Sequence, residues 1–242
     1  MGTLIVDIET HAPEWRDLPG ATRSALTGWI ERGDFSAEER QRKSRAMQSR
    51  LALSPFTASI ISLAIFDLER RTGAVYFTAA DTTTSFTSGD FTYKQRSESE
   101  ILEDFWTGAS SYDVFVTFNG RTFTVPFLYH RSVINGVRPS VTIARQRYVT
   151  KQAPPYHVDL MDEFSFHGSM HHRPSLQLLS SAYQLENASL LGGEEIAEAY
   201  REHRFRIIAE KNAGDVIAIR KLYEKWLGNL APHTFLNAIE NI

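Results

Sequence analysis

The run Thr3-Leu4-Ile5-Val6-Asp7-Ile8-Glu9 constrains the chain more than any other segment. Its apolar start reads as a buried strand, and its end carries two carboxylates. Side chains alternate along a strand, so Asp7 and Glu9 share one face. Neighbouring carboxylates repel unless a proton or a cation joins them. A divalent metal with hard oxygen ligands relieves that repulsion most simply. The triplet by itself has little specificity, because Asp-x-Glu arises by chance in many chains.

The 242 residues, 42% of them hydrophobic, suffice for one large domain or two small ones. With a net charge of −3, only local patches can attract a polyanion. Cysteine is absent, which excludes disulfides, thiol nucleophiles and thiolate metal sites. No apolar run approaches the length of a membrane span, and the sequence starts as a strand, not a signal peptide. The expectation is a soluble, cytoplasmic protein with no membrane contact.

Residues 57–68 and 74–78 read as strands joined at Arg71-Thr72-Gly73, and the Thr/Ser/Gly-rich 82–92 reads as a loop. Periodicity predicts helices over 97–107, 122–133, 175–183 and 194–226, the last broken near His203. Residues 113–118 and 157–160 read as strands. The polar stretch 12–50 reads as a helical insertion, with basic residues at Arg40, Arg42, Lys43, Arg45 and Arg50. Such a run is either a solvated helix face or a track for phosphates. The mixed order implies an α/β sheet flanked by helices within a single domain, 1–242.

Three segments are placed to meet at one sheet edge: Asp7 with Glu9, the junction from Phe118 to Leu128, and Asp215 on the final long helix. With these in view the chain resembles a known family. The blocks Ser54-Pro55-Phe56-Thr57, Thr117-Phe118-Asn119-Gly120 with Val125-Pro126-Phe127-Leu128, Asp159-Leu160-Met161-Asp162 and Gly214-Asp215-Val216 with Leu222-Tyr223 occur in the family's order. They are similar to the predicted 3′–5′ exonucleases related to the exonuclease domain of family B DNA polymerases. That family falls within the RNase H-like superfamily of DEDD exonucleases.

The resemblance implies an RNase H-like fold and a Mg²⁺ or Mn²⁺ pair held by Asp7, Glu9 and Asp215, with Asp7 shared. It implies phosphodiester hydrolysis at single-stranded 3′ ends in the two-metal mode, with DNA favoured over RNA as substrate and the choice between them left open. It also implies that Asn119 and Phe123 hold the terminal nucleotide. Read from the residues alone, Asn119-Gly120 is equally a turn and Phe123 equally a core anchor.

Two positions depart from the family pattern. Thr124 stands where the family has the aspartate that supports the second metal. Lys211 stands where the family has a tyrosine that orients water. On a helix, Lys211 and Asp215 share a face at i and i+4, so the ammonium can supply charge that a metal otherwise brings. The alternative is that Lys211 points to solvent or to substrate phosphate. Two readings follow: a metal-dependent exonuclease, or a catalytically silent nucleic-acid-binding protein on the same fold. In both, the carboxylates of Asp7, Glu9 and Asp215 are expected within roughly 6 Å of one another.

Other candidates are weaker. His167, His171 and His172 lie in a Gly/Ser/Pro-rich loop without the frame of a zinc site. Asp159 and Asp162 read as helix caps. Arg131, Arg138, Arg145, Arg147 and Lys151 would form a nucleic-acid path only if they cluster with the basic run at 40–50.

Overall fold

The computed structural model describes residues 2–79, 85–143, 146–185 and 192–241. The strands are β1 (Thr3–His11), β2 (Ser59–Asp67), β3 (Thr72–Phe77), β4 (Phe86–Ser88), β5 (Phe91–Gln95), β6 (Val114–Thr117) and β7 (Tyr156–Asp159). They form one mixed sheet in the order β4-β5-β3-β2-β1-β6-β7. The strand β1 is near its middle, antiparallel to β2 and parallel to β6.

The helices are α1 (Gly20–Arg32), α2 (Ala37–Gln48), α3 (Glu98–Ala109), α4 (Thr124–Asn135), α5 (Leu160–Phe164) and α6 (Leu176–Ala182), followed by α7 (Gly193–Arg201), α8 (Phe205–Asn229) and α9 (His233–Glu240). This is the α/β arrangement with an RNase H-like mixed sheet that the sequence led us to expect. Among the described residues, no helix is long and apolar enough to cross a membrane.

The two-residue period of β1 decides which helix each of its side chains meets. Leu4, Val6 and Ile8 enter the core under α3 and α4, with Ile101, Phe105, Trp106 and Phe127. Ile5 enters the opposite core, with Val216, Ile219 and Leu222 of α8. Asp7 and Glu9, in phase with Ile5, therefore face α8. A bulge between Glu9 and Thr10 shifts the β1–β2 register just as the chain leaves the sheet.

Several boundaries differ from the sequence expectation. Thr72 and Gly73 belong to β3, and the turn lies one step earlier, with Arg71 at φ 56°. Gly73 is needed within the strand because a Cβ there would lie 2.3 Å from the Phe91 ring. Residues 82–84 of the expected loop lie outside the described residues, but from Phe86 onward the chain forms β4 and β5. Phe86 and Tyr93 stack across that pair with ring centroids 4.4 Å apart. The break near His203 is present, between α7 and α8. The helix α9 was not anticipated.

The stretch 12–50 is a helical hairpin that leaves the end of β1 and returns toward β2. Ser36 and Glu39 form a capping box that starts α2. The Arg40 guanidinium donates to the carbonyls of Glu31, Gly33 and Phe35, each at 3.0 Å, and closes the turn between α1 and α2. Arg40 is thus a structural residue, not part of a phosphate track.

Candidate functional site

Three parts of the chain meet over the end of β1. Asp7 and Glu9 come from the strand, and Asp215 from the middle of α8. One carboxylate oxygen of each lies within 4.8 Å of the others, inside the expected distance. Among the described residues this is the one group of three or more potential metal ligands that converges. Apolar residues of α8 such as Val216 and Ile219 pack on the sheet, so its register fixes Asp215 over β1.

Lys211 turns inward. Its Nζ contacts Glu9 Oε1 and sits 2.6 Å from Asp215 Oδ2. The side chains of Lys211, Glu9 and Asp215 are only 11–12% exposed, so this contact is shielded from water. Burial opposes the charge on Lys211, but Glu9, Asp215 and Asp7 together hold its pKa above the ordinary value. Three carboxylates facing one ammonium leave an excess of negative charge. Burial, reinforced by Asp215 and Glu9, accordingly raises the Asp7 carboxyl well above the usual range. Burial also raises Glu9, against the pull of Lys211.

Asn212 was not singled out by the sequence reading, yet it belongs to the site. It is fully buried beside Lys211 on α8. With its amide turned to satisfy its neighbours, it donates to Asp7 Oδ2 at 3.1 Å and accepts from Ser62 Oγ at 2.9 Å. Ser62 is the β2 residue paired with Glu9. The signal was available: Asn212 is three residues before Asp215, so both lie on one helix face.

Thr124 is completely buried in the first turn of α4, a helix that packs against β1. Its Oγ1 has no hydrogen-bond partner among the described residues. The donor set fits one divalent cation. Asp7, Glu9 and Asp215 supply hard oxygens and uncompensated charge, and Lys211 is the competitor that such a cation must displace. Thr124, a neutral hydroxyl on the α4 side of the sheet, is not in that group and brings no charge to it.

Asn119 has φ 57°, the left-handed conformation that Asn tolerates, and its side chain accepts a hydrogen bond from Thr122. A Cβ on Gly120 would lie 2.1 Å from Thr117 Oγ1, so glycine is required there. Asp159 fixes the turn by accepting the backbone N–H groups of Asn119 and Arg121, both at 2.9 Å, while capping α5 through Met161 N–H. Phe123 is half-buried against the α3–α4 core, its ring 4.9 Å from that of Phe127. Turn former and core anchor are the roles these contacts give Asn119 and Phe123.

Asp162 does not act as a helix cap. It is ion-paired with Arg121 at 3.2 Å and Arg147 at 2.8 Å. Arg131 is bound to Glu98 on α3. Arg138 and Lys151 are exposed, and Arg145 lies outside the described residues. Arg131 and Arg147 are thus each held by a carboxylate of the fold, on α3 and α5 respectively. His171 and His172 are exposed, and with His167 they form no ligand group among the described residues.

Glu163, next to Asp162, is a buried carboxyl whose pKa burial raises to about 7, against the lowering effect of a hydrogen bond from Trp226. Its folded pKa lies above the unfolded value near 4.5, so its contribution to stability is lost as pH rises through 7. Glu163→Gln is therefore expected to raise Tm by about 2–4 °C at pH 8, with no gain at pH 4.5. Thermal scans at the two pH values check this. An equal shift at both would show that ionisation is not the cause.

No curated protein matches the sequence. Among solved structures, the family B DNA polymerase from the hyperthermophilic archaeon Pyrobaculum calidifontis has a similar fold, with a TM-score of 0.55 and 18% sequence identity. The similarity covers 93% of this chain and 24% of the polymerase, so the chain spans about a quarter of that protein's length. A family described as a predicted 3′–5′ exonuclease related to the exonuclease domain of PolB matches residues 68–241. That range includes Asn119, Thr124, Lys211 and Asp215, while Asp7, Glu9 and the helical hairpin precede it. By that match the chain belongs to the family of predicted 3′–5′ exonucleases related to the PolB exonuclease domain.

Proposed function

We propose that this chain is a metal-dependent 3′–5′ exonuclease of single-stranded DNA ends, built as a single domain, whose site is held by Lys211 until a divalent cation takes its place. The observation that carries the reading is the convergence of Asp7, Glu9 and Asp215 within 4.8 Å. Mg²⁺ or Mn²⁺ bound there supplies positive charge to the scissile phosphate and lowers the pKa of water.

The chain's own residues do the rest. Asp7, Glu9 and Asp215 orient the cation. Asn212 and Ser62 fix the Asp7 carboxylate, as partners of a metal ligand do. Lys211, displaced from Glu9 and Asp215, becomes free to meet a phosphate oxygen. Thr124 lends no charge, which makes the expected turnover slow.

A second reading is favoured by one observation, the contact of Lys211 with both Glu9 and Asp215. If the ammonium is never displaced, the protein binds nucleic acid without cutting it. Timed digestion of a 5′-labelled oligonucleotide separates the readings. The first expects a ladder shortened from the 3′ end in Mn²⁺, abolished by EDTA and by Asp7→Asn. Intact oligonucleotide in saturating Mn²⁺, still bound in a salt-sensitive manner, selects the second.

A further inference from the structure

The hairpin formed by α1 and α2 precedes the segment that matches the family, and it carries a groove of its own. The groove has a volume of about 390 Å³, within the roughly 300–1,000 Å³ typical of ligand sites. Leu26, Met47 and Leu51 line it with apolar surface, Trp29 forms a wall, and Lys43 and Arg50 stand at its rim. Trp29 is 49% exposed, an unusual state for the largest apolar side chain. The Lys43 ammonium lies 4.4 Å from the centre of the Phe35 ring and 5.5 Å from that of Trp29, which sets a cation beside the indole. Among the described residues, neither Lys43 nor Arg50 is ion-paired with a carboxylate.

Charge identifies the occupant. Residues 20–50 hold seven basic and four acidic side chains in a chain whose net charge is −3. The hairpin is therefore a positive element on a negative protein. An exposed aromatic wall beside unpaired cations suits a ligand that alternates flat rings with phosphates. Position adds to this. Thr10, one residue beyond Glu9, donates from Oγ1 to the carbonyl of Ala52 at 2.6 Å, and Ala52 follows the groove residue Leu51. The groove is thus tethered to the strand that carries the carboxylates.

From these observations we infer that the hairpin groove is a binding site for single-stranded DNA, holding one base against Trp29 and Met47 and the adjoining phosphate between Lys43 and Arg50. The inference rests on the nuclease-type reading of the carboxylate site and adds a point at which the strand is gripped away from that site. Strand length then matters: an oligonucleotide too short to reach both places loses the grip.

The test uses the full chain, EDTA and a fluorescein-labelled oligothymidylate. Trp29→Ala, and separately the pair Lys43→Ala with Arg50→Ala, are each expected to weaken binding roughly tenfold. Lys43 and Arg50 are surface groups, so the pair remains informative if Trp29→Ala does not fold. In a Trp15→Phe background, oligothymidylate is expected to shield tryptophan fluorescence from acrylamide, since Trp106 and Trp226 are already buried and Trp29 is then the remaining exposed indole.

Unchanged affinity in both variants overturns the groove assignment and leaves the nuclease reading intact. Shielding and loss of affinity in a protein that degrades nothing uphold the groove and remove the nuclease reading. A dimer that Trp29→Ala dissolves overturns the inference, because a second copy then fills the groove.

Discussion

The double variant Thr124→Asp, Lys211→Tyr is expected to bind Mn²⁺ about 10–100-fold more tightly than the unaltered chain and to degrade a labelled oligonucleotide faster by a similar factor. On the proposed reading the added carboxylate would support a second cation, where a buried, unpartnered hydroxyl now stands. Removing the ammonium ends its competition for Glu9 and Asp215. Calorimetry reads the first effect without relying on activity.

Lys211→Ala alone gives an independent check. In EDTA it leaves shielded carboxylates unpaired and should cost about 3–5 kcal/mol of stability. Mn²⁺ at a hundred times its Kd should return about 2.7 kcal/mol. A protein that binds Mn²⁺ equally well with and without Lys211 would show that the ammonium does not guard the site.

Arg131→Met is expected to destabilise the fold by about 3–5 kcal/mol while leaving the site's chemistry intact. Arg131 Nε donates to Glu98 Oε1 at 2.8 Å, and its Nη2 lies 2.5 Å from Glu98 Oε2. Both side chains are only 12–13% exposed. Glu98 also accepts the Ile60 N–H at 2.7 Å and the Asn135 amide at 3.1 Å, so one carboxylate joins α3, α4 and the start of β2. Removing the arginine leaves that carboxylate shielded and short of cationic partners. Urea denaturation measures the loss. The double variant Arg131→Met, Glu98→Leu should recover part of it, since no lone charge then remains. A change below about 1 kcal/mol in Arg131→Met would place the pair among exposed ion pairs of little consequence.

What was legible in the sequence follows from which interactions are local. The facing of Asp7 and Glu9 follows from strand alternation, and the reach of Lys211 to Asp215 from helix spacing. Both are short-range rules that need no tertiary information. Whether Lys211 turns inward is a contest between burial and three carboxylates, and only the packed arrangement of β1 and α8 decides it.

The strands β4 and β5 were missed because their Thr/Ser/Gly composition mimics a loop. What holds them is the pairing of Phe86 with Tyr93 across the strands. Arg131 resembled a nucleic-acid contact because sequence gives its charge and not its partner 33 residues away. Asn212 was overlooked for a similar reason. A polar residue within a helix ordinarily marks the solvent side, and only its placement between Asp7 and Ser62 reverses that meaning.

Lys211 and Glu9 are separated by 202 residues of chain. At a synthesis rate of roughly 5–20 residues per second, about 10–40 s elapse between the emergence of β1 and that of the helix whose cation balances it. Closing so long a loop carries a large entropic cost, although that cost grows only logarithmically with length. The acidic end of β1 therefore spends the early part of folding without its ammonium. Its pairing with β2 is available well before, once the helical hairpin between them has been made. Asp215 follows Lys211 by four residues, so the third carboxylate and the ammonium that faces it reach β1 together, on one face of α8.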